Sequence, residues 1–449
     1  MYSNCSIFML KNIIFIFLFL IFSVASVNAA VITVDDSGGQ NYTTIEGAIN
    51  NAIDDDTILV YPGTYSQNVE VYKELTIIAQ SDNPEDTIVQ SGNSFDQVFY
   101  VTANNVTISG FNVTGAATSA GIYLYGVEGC NVTENILSNN AYGVWLYDSS
   151  NYNNVINNTA TDNTYGIWLS VSSNYNDVTN NTAAGNTYGI WIYYFSNYNN
   201  VTSNTASNNT DYGIVFSSAS NNELTGNTVA NNNNGIYLWN SSNNNTLTSN
   251  TAANNGYGGI YLSGSSNNNL IENTASNNIR GIYLLDSSNN NKLASNIVLN
   301  NSAYGIYLLD SSNNNKLTSN TVLNNSAYGI VMDLSSNNNT LTSNTASNNT
   351  IYGILLSGSS NYNNLTSNTA SDNNYGIMLD SSDNNNMVSN IASNNGNYGI
   401  YVRYSNNNNL TDNTASNNDD YGIDLLNSSD NTLISNTVSN NSAFGILLH

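Results

Sequence analysis

Residues 280–301 read RGIYLLDSSNNNKLASNIVLNN, and residues 304–325 read YGIYLLDSSNNNKLTSNTVLNN. These two near-copies decide the fold. After each Gly the side chains alternate: Ile282 and Leu284 fall on one side, Tyr283 and Leu285 on the other, and period two means strand. The Ser/Asn run that follows is turn chemistry. Leu317-Thr318-Ser319 reads as a second strand, and Asn320 follows it. The marker, Gly followed by Ile or Val, recurs from Gly121 to Gly445 at spacings of 22 to 24 residues.

Few repeat architectures have that period. Helical repeats are longer and would not tolerate so much Asn, Gly and Ser. Propeller blades are about twice as long. Leucine-rich repeats overlap the period, but their leucine spacing and helical segment are missing. What fits is one coil per repeat of an all-β, right-handed, single-stranded parallel β-helix, with about 23 residues per coil. Two Asn columns support it. One runs without exception from Asn135 to Asn436, the other from Asn140 to Asn441. Coils lie about 4.8 Å apart, so equivalent amides sit above one another and can pair along a buried stack. The one-residue length changes are placed between the Asn columns and the marker Gly, where a turn absorbs them.

The chain divides into three parts. Residues 1–29 read as a signal peptide: Lys11, the apolar run Ile13 to Phe22, and Val27-Asn28-Ala29 as a cleavage pattern. Residues 30–110 read as an N-terminal cap and first coils, with Thr43-x-x-Glu46 as a capping box before a short helix in IEGAINNAI. Residues 111–449 are the repeats. No second apolar stretch occurs, so no membrane span is expected after signal cleavage, and the mature chain is expected at the cell surface or secreted. A net charge of −25, with 6 Lys+Arg against 31 Asp+Glu, argues against nucleic acid as a partner. Cys130 is alone in the mature chain, so no internal disulfide forms, and it is expected to be a small buried apolar residue.

The Gly-Ile-x-Leu…Ser-x-Asn-Asn…Leu-x-x-Asn-Thr pattern resembles the parallel β-helix repeats of the NosD-like family, within the wider pectin-lyase-like and carbohydrate-binding group. The Asn-rich version resembles surface proteins of methanogenic archaea. ITVDD…YTTIEGAINNAIDDDTILVYPGTY resembles the cap and first coils of the same group. The resemblance implies the solenoid. It also implies two further functional alternatives, a polysaccharide lyase, hydrolase or epimerase and a copper-related protein. The sequence departs from both. Copper favours clustered His, Met or Cys, whereas Met332 and Met387 fall at interior positions and Cys130, Met378 and His449 stand apart. No motif gathers a base, an acid and a metal, and Arg280 and Arg403 are several coils apart.

The informative exposed feature is aromatic. If the Ile after the marker points in, the next residue points out, and that column reads Tyr123, Trp145, Trp168, Trp191, Val215, Tyr237, Tyr261, Tyr283, Tyr307. Two residues on, Tyr193 and Trp239 share the face. These aromatics are the candidate binding residues, expected to face solvent and to engage a polysaccharide or cell-surface glycan. A second Tyr column before the Gly lies near a bend and is left uncounted. No cofactor is required. Calcium is a weak candidate at Asp286 and Asp310, which occupy equivalent turns and are expected to be answered by Lys292 and Lys316 in equivalent turns of their own. Eighteen Asn-x-Ser/Thr sequons, among them Asn240 and Asn427, allow glycosylation. The sequence stops in mid-motif at His449, which predicts end-to-end self-association through an open coil.

Overall fold

The computed structural model describes residues 29–449. Residues 1–28 of the signal-peptide reading lie outside this range. Three parallel sheets run along the chain, and most coils contribute one short strand to each. The first sheet has 18 strands, one per coil, of which Asn131–Thr133 and Thr246–Thr248 are typical. The second holds strands such as Thr251–Ala253 and continues past Thr345–Ser347 through single bridges at Thr369 and Ile391. The third holds the marker strands, such as Tyr142–Tyr147 and Arg280–Leu285. The molecule is thus an all-β parallel β-helix with almost no helix. The strand after each Asn of the first column, missing from the sequence reading, is the second sheet. Three residues are too few to show an alternating pattern.

Register is in step from coil to coil. Ile260, Ile282, Ile306 and Ile330 pair in succession, as do Leu262, Leu284, Leu308 and Met332. All are buried at 0% exposure, so Met332 is core, and Met387 occupies the matching Leu position of the first sheet. Cys130 is buried too, and burial pushes its thiol up to about 11, as expected of a small apolar residue.

The corners hold the polar part of the interior. Asn250 accepts from the backbone N–H and Nδ2 of Asn227 at 3.0 and 2.9 Å, and its Nδ2 donates to Leu224 O at 2.9 Å and Asn273 Oδ1 at 3.0 Å. The amides of this column and of the one from Asn140 are satisfied by neighbouring coils. A third buried column, Asn153 to Asn408, turns the corner after the marker strand. The sequence hid it inside runs of consecutive Asn, where nothing marks the register. Length changes accordingly fall on both sides of the marker strand, not only before it.

The marker Gly has a steric cause. At Gly281 a Cβ would stand 2.6 Å from Gly305 O and 2.3 Å from a Val298 methyl carbon, so the corner closes only without a side chain.

At the N-terminal end, helix Ile45–Asn51 covers the first coils through Ile45, Ala48 and Ile49. The capping residue is Thr44, not Thr43. Its hydroxyl accepts from Gly47 N–H at 3.1 Å, while Glu46 N–H donates to Gln67 instead of closing a box. The helix begins at Ile45 because that register buries its apolar stripe. Among the described residues no helix is long and apolar enough to cross a membrane.

Candidate functional site

The aromatic columns share the outer face of the third sheet. Tyr123, Trp145, Trp168, Trp191, Val215, Tyr237, Tyr261, Tyr283 and Tyr307 are in register one above another. Tyr147, Ser170, Tyr193, Ser217 and Trp239 form the neighbouring outward column. Their side of the sheet is as expected, but their exposure is not. Tyr123, Tyr283 and Tyr307 are only 8%, 4% and 8% exposed, while Trp239 is 41% exposed. Trp145, Trp168, Trp191, Tyr193, Tyr237 and Tyr261 are half-buried.

The cause is the Tyr column left uncounted in the sequence. Tyr142, Tyr165 and Tyr188 point to the same face and stack at 5.1 and 4.9 Å. They also lean on the Trp column: Tyr142 lies 4.6 Å from Trp145, and Tyr165 lies 5.0 Å from Trp168. The signal that could have found them is their shared repeat position, one residue before the Gly. Coil spacing matches ring-stacking distance, so the rings use up one another's faces. Trp145 and Trp168 stack at 5.1 Å with planes 9° apart. Most of the stripe therefore offers ring edges to solvent, not faces.

One break interrupts the column. Val215 stands where its neighbours are Trp191 and Tyr237. There Trp191 tilts 46° from Trp168 at 6.5 Å, and a recess of about 180 Å³ opens, lined by Tyr188, Trp191, Tyr212, Val215, Tyr237 and Trp239. The indole N–H groups of Trp168 and Trp191 have no hydrogen-bond partner, whereas that of Trp145 donates to Ser170 at 2.9 Å. Burial raises the hydroxyl pKa of Tyr188, Tyr212 and Tyr237 on the recess wall, so these phenols stay neutral donors and acceptors.

Asp286 and Asp310 lie at exposed left-handed turn positions, φ 52° and 51°. Asp286 accepts from Ser263 Oγ at 2.7 Å. The expected lysine answer does not form. Lys292 and Lys316 are paired strand residues of the first sheet, not turn residues, and among the described residues the ion pairs are Arg403–Asp380 and His449–Asp424. A wider trough of about 510 Å³ runs along the corner at Asn140, Asn163 and Asn186, with Asp162 its single carboxylate.

The chain matches the family described as "Periplasmic copper-binding protein (NosD)" over residues 49–251, 193–333 and 326–449. It belongs to the NosD family. It is 29% identical over 141 residues to a cell surface glycoprotein of Methanothermus fervidus, a match covering 31% of this chain and 23% of that protein. The matched region is thus less than a quarter of the relative's length. Among solved structures, the bacteriophage phi29 gene product 12 aligns over 90% of this chain and 72% of its own, with TM-score 0.60 and 11% identity. The Dettilon tailspike protein aligns over 69% and 66%, with TM-score 0.51 and 15% identity. These two likenesses concern the fold alone.

The family description implies copper, but the donors present do not fit it. Among the described residues no group of three or more His, Cys, Asp or Glu could hold a metal. Met332 and Met387 lie in different sheets of the dry interior, Met378 is covered on the outer face, and Cys130 is buried. Copper needs soft or imidazole donors brought together at one point.

Proposed function

We propose that this NosD-family protein is a cell-surface β-helix that binds saccharide at the recess around Val215. The surface placement is supported by the partial match to a cell surface glycoprotein. The observation that carries the binding site is the single break in the stacked column. A sugar ring packs its C–H face on aromatic surface, and where Val215 replaces a ring a recess opens between Trp191, Tyr237 and Trp239. The wall is preformed, because Tyr188 and Tyr212 stack at 5.9 Å and Tyr212 and Tyr237 at 5.4 Å across it. The deeply stacked Tyr123, Trp145 and Trp168 support the wall and do not contact ligand in this reading.

A glycan array on the mature protein tests this, read by Trp fluorescence, with reducing-sugar and lyase assays alongside. Trp191→Ala with Trp239→Ala should abolish binding while the protein stays folded. Unchanged binding in that pair would reduce the stripe to sheet packing, and turnover of any glycan would make the protein an enzyme.

A further inference from the structure

The Tyr column before the marker Gly has its own interruption. Between Tyr212 and Tyr304 its positions hold Asn234, Gly258 and Arg280. Arg280 is wrapped in rings: its Cζ lies 4.4 Å from the Tyr257 centroid, 5.0 Å from Tyr283 and 6.0 Å from Tyr304. Gly258, directly beside it in the adjacent coil, supplies no side chain to cover the slot.

The other described cations are accounted for differently. Lys73 donates to the carbonyls of Ile49, Asn50 and Ala52 at the helix end. Arg403 is paired with Asp380. Lys292 and Lys316 are exposed on another sheet. Arg280 has no carboxylate partner, and its Nε and Nη1 are buried without a hydrogen-bond acceptor. The ring faces hold the guanidinium plane and hide two of its nitrogens, leaving Nη2 as the one toward solvent. A cation fixed by aromatic rings and lacking a counter-ion is prepared for an anion from outside.

We propose that Arg280 is the recognition point for an anionic substituent, carboxylate or sulfate, on a saccharide lying along this face. The proposal rests on the reading of the face as a saccharide site and adds the ligand's charge to it. Arg280 lies three coils beyond Val215, so one short oligomer seated at the recess reaches it along the solenoid axis, passing Tyr237 and Tyr261. The chain's net charge of −25 does not forbid this, since repulsion from charges beyond about 8 Å is screened at physiological salt. It does explain why selectivity would depend on one local cation.

The test compares three trimers of equal length on the full mature protein: a galacturonate trimer, a sulfated gluco-trimer and a neutral gluco-trimer. The wild type should bind at least one charged trimer tenfold or more tightly than the neutral one at low salt, and which one identifies the substituent. Added salt should erode only that preference. Arg280→Gln should abolish the preference and leave neutral binding unchanged. Arg280→Lys, which keeps the charge but loses the stacked plane, should retain a reduced preference and keeps the test usable if the Gln variant folds poorly. A charged-trimer preference that survives in Arg280→Gln overturns the proposal while sparing the recess. A wild type that binds no trimer overturns both.

Discussion

The third sheet has two halves with the same interior and different exteriors. From Tyr123 to Tyr307 its outward column is aromatic apart from Val215; at Val331, Leu355 and Met378 it is aliphatic, and Tyr401 and Asp424 follow. Inside, Ile282, Ile306, Ile330, Ile354 and Ile377 continue unchanged, and so do the Asn columns. The fold therefore requires the interior and tolerates either exterior. Val331 is 3% exposed and Met378 2%, because the continuing Tyr304, Tyr328 and Tyr352 column covers them as it covers the Trp. What the stretch from Val331 to Met378 lacks is a ring beneath the Tyr column, and what the aromatic stretch has is one place, at Val215, where its own column opens.

The largest effect should come from the shared interior. Asn250→Leu leaves two donors of Asn227 without their acceptor and removes the amide donor to the Leu224 carbonyl, and should cost about 3 kcal/mol by denaturant unfolding. Asn339→Leu in the third column should cost less, about 1 kcal/mol, because its Nδ2 already has no partner. Equal costs in both would mean that the columns are held by shape rather than by amide pairing.

Alkali should act next. Burial pushes the Tyr283 hydroxyl from its ordinary 10.0 up to about 12, and burial raises those of Tyr123, Tyr261 and Tyr307 further. The unfolded chain then releases protons at lower pH than the folded one. Stability from these groups is complete below pH 10 and is lost as pH rises through about 12. Tm measured across that range with tyrosinate absorbance should fall as the rings ionise. A flat Tm would contradict the packed stripe.

The smallest effect should be on the exteriors themselves. Leu355→Tyr extends the aromatic column into the aliphatic half and should change stability by less than about 1 kcal/mol, the scale of a cross-strand pair. A large penalty would show that the aliphatic half has a packing requirement of its own.

How much of this was legible follows from what repeats visibly. Asn135 to Asn436 and Gly121 to Gly445 are columns that a single sequence exposes, and they fix coil length and corners. The Asn153 column was not legible, because another Asn stands directly beside it in most coils. Nor was the capping residue, since Thr43 and Thr44 both qualify and only packing of Ile45, Ala48 and Ile49 chooses. At the candidate site the sequence placed the column after the marker Gly on the outward side and left the Tyr142 column unplaced. It did not show that stacking along the axis hides ring faces, which makes the lone Val215 more informative than the aromatics around it.

The central claim is that the face binds where the column breaks. Val215→Trp tests it most directly, by restoring the ring between Trp191 and Tyr237. Titration with a neutral gluco-trimer, read by fluorescence, should show binding to the wild type and none to Val215→Trp, with Tm unchanged or slightly raised. Binding that persists at wild-type affinity in the filled variant would contradict the recess as the site.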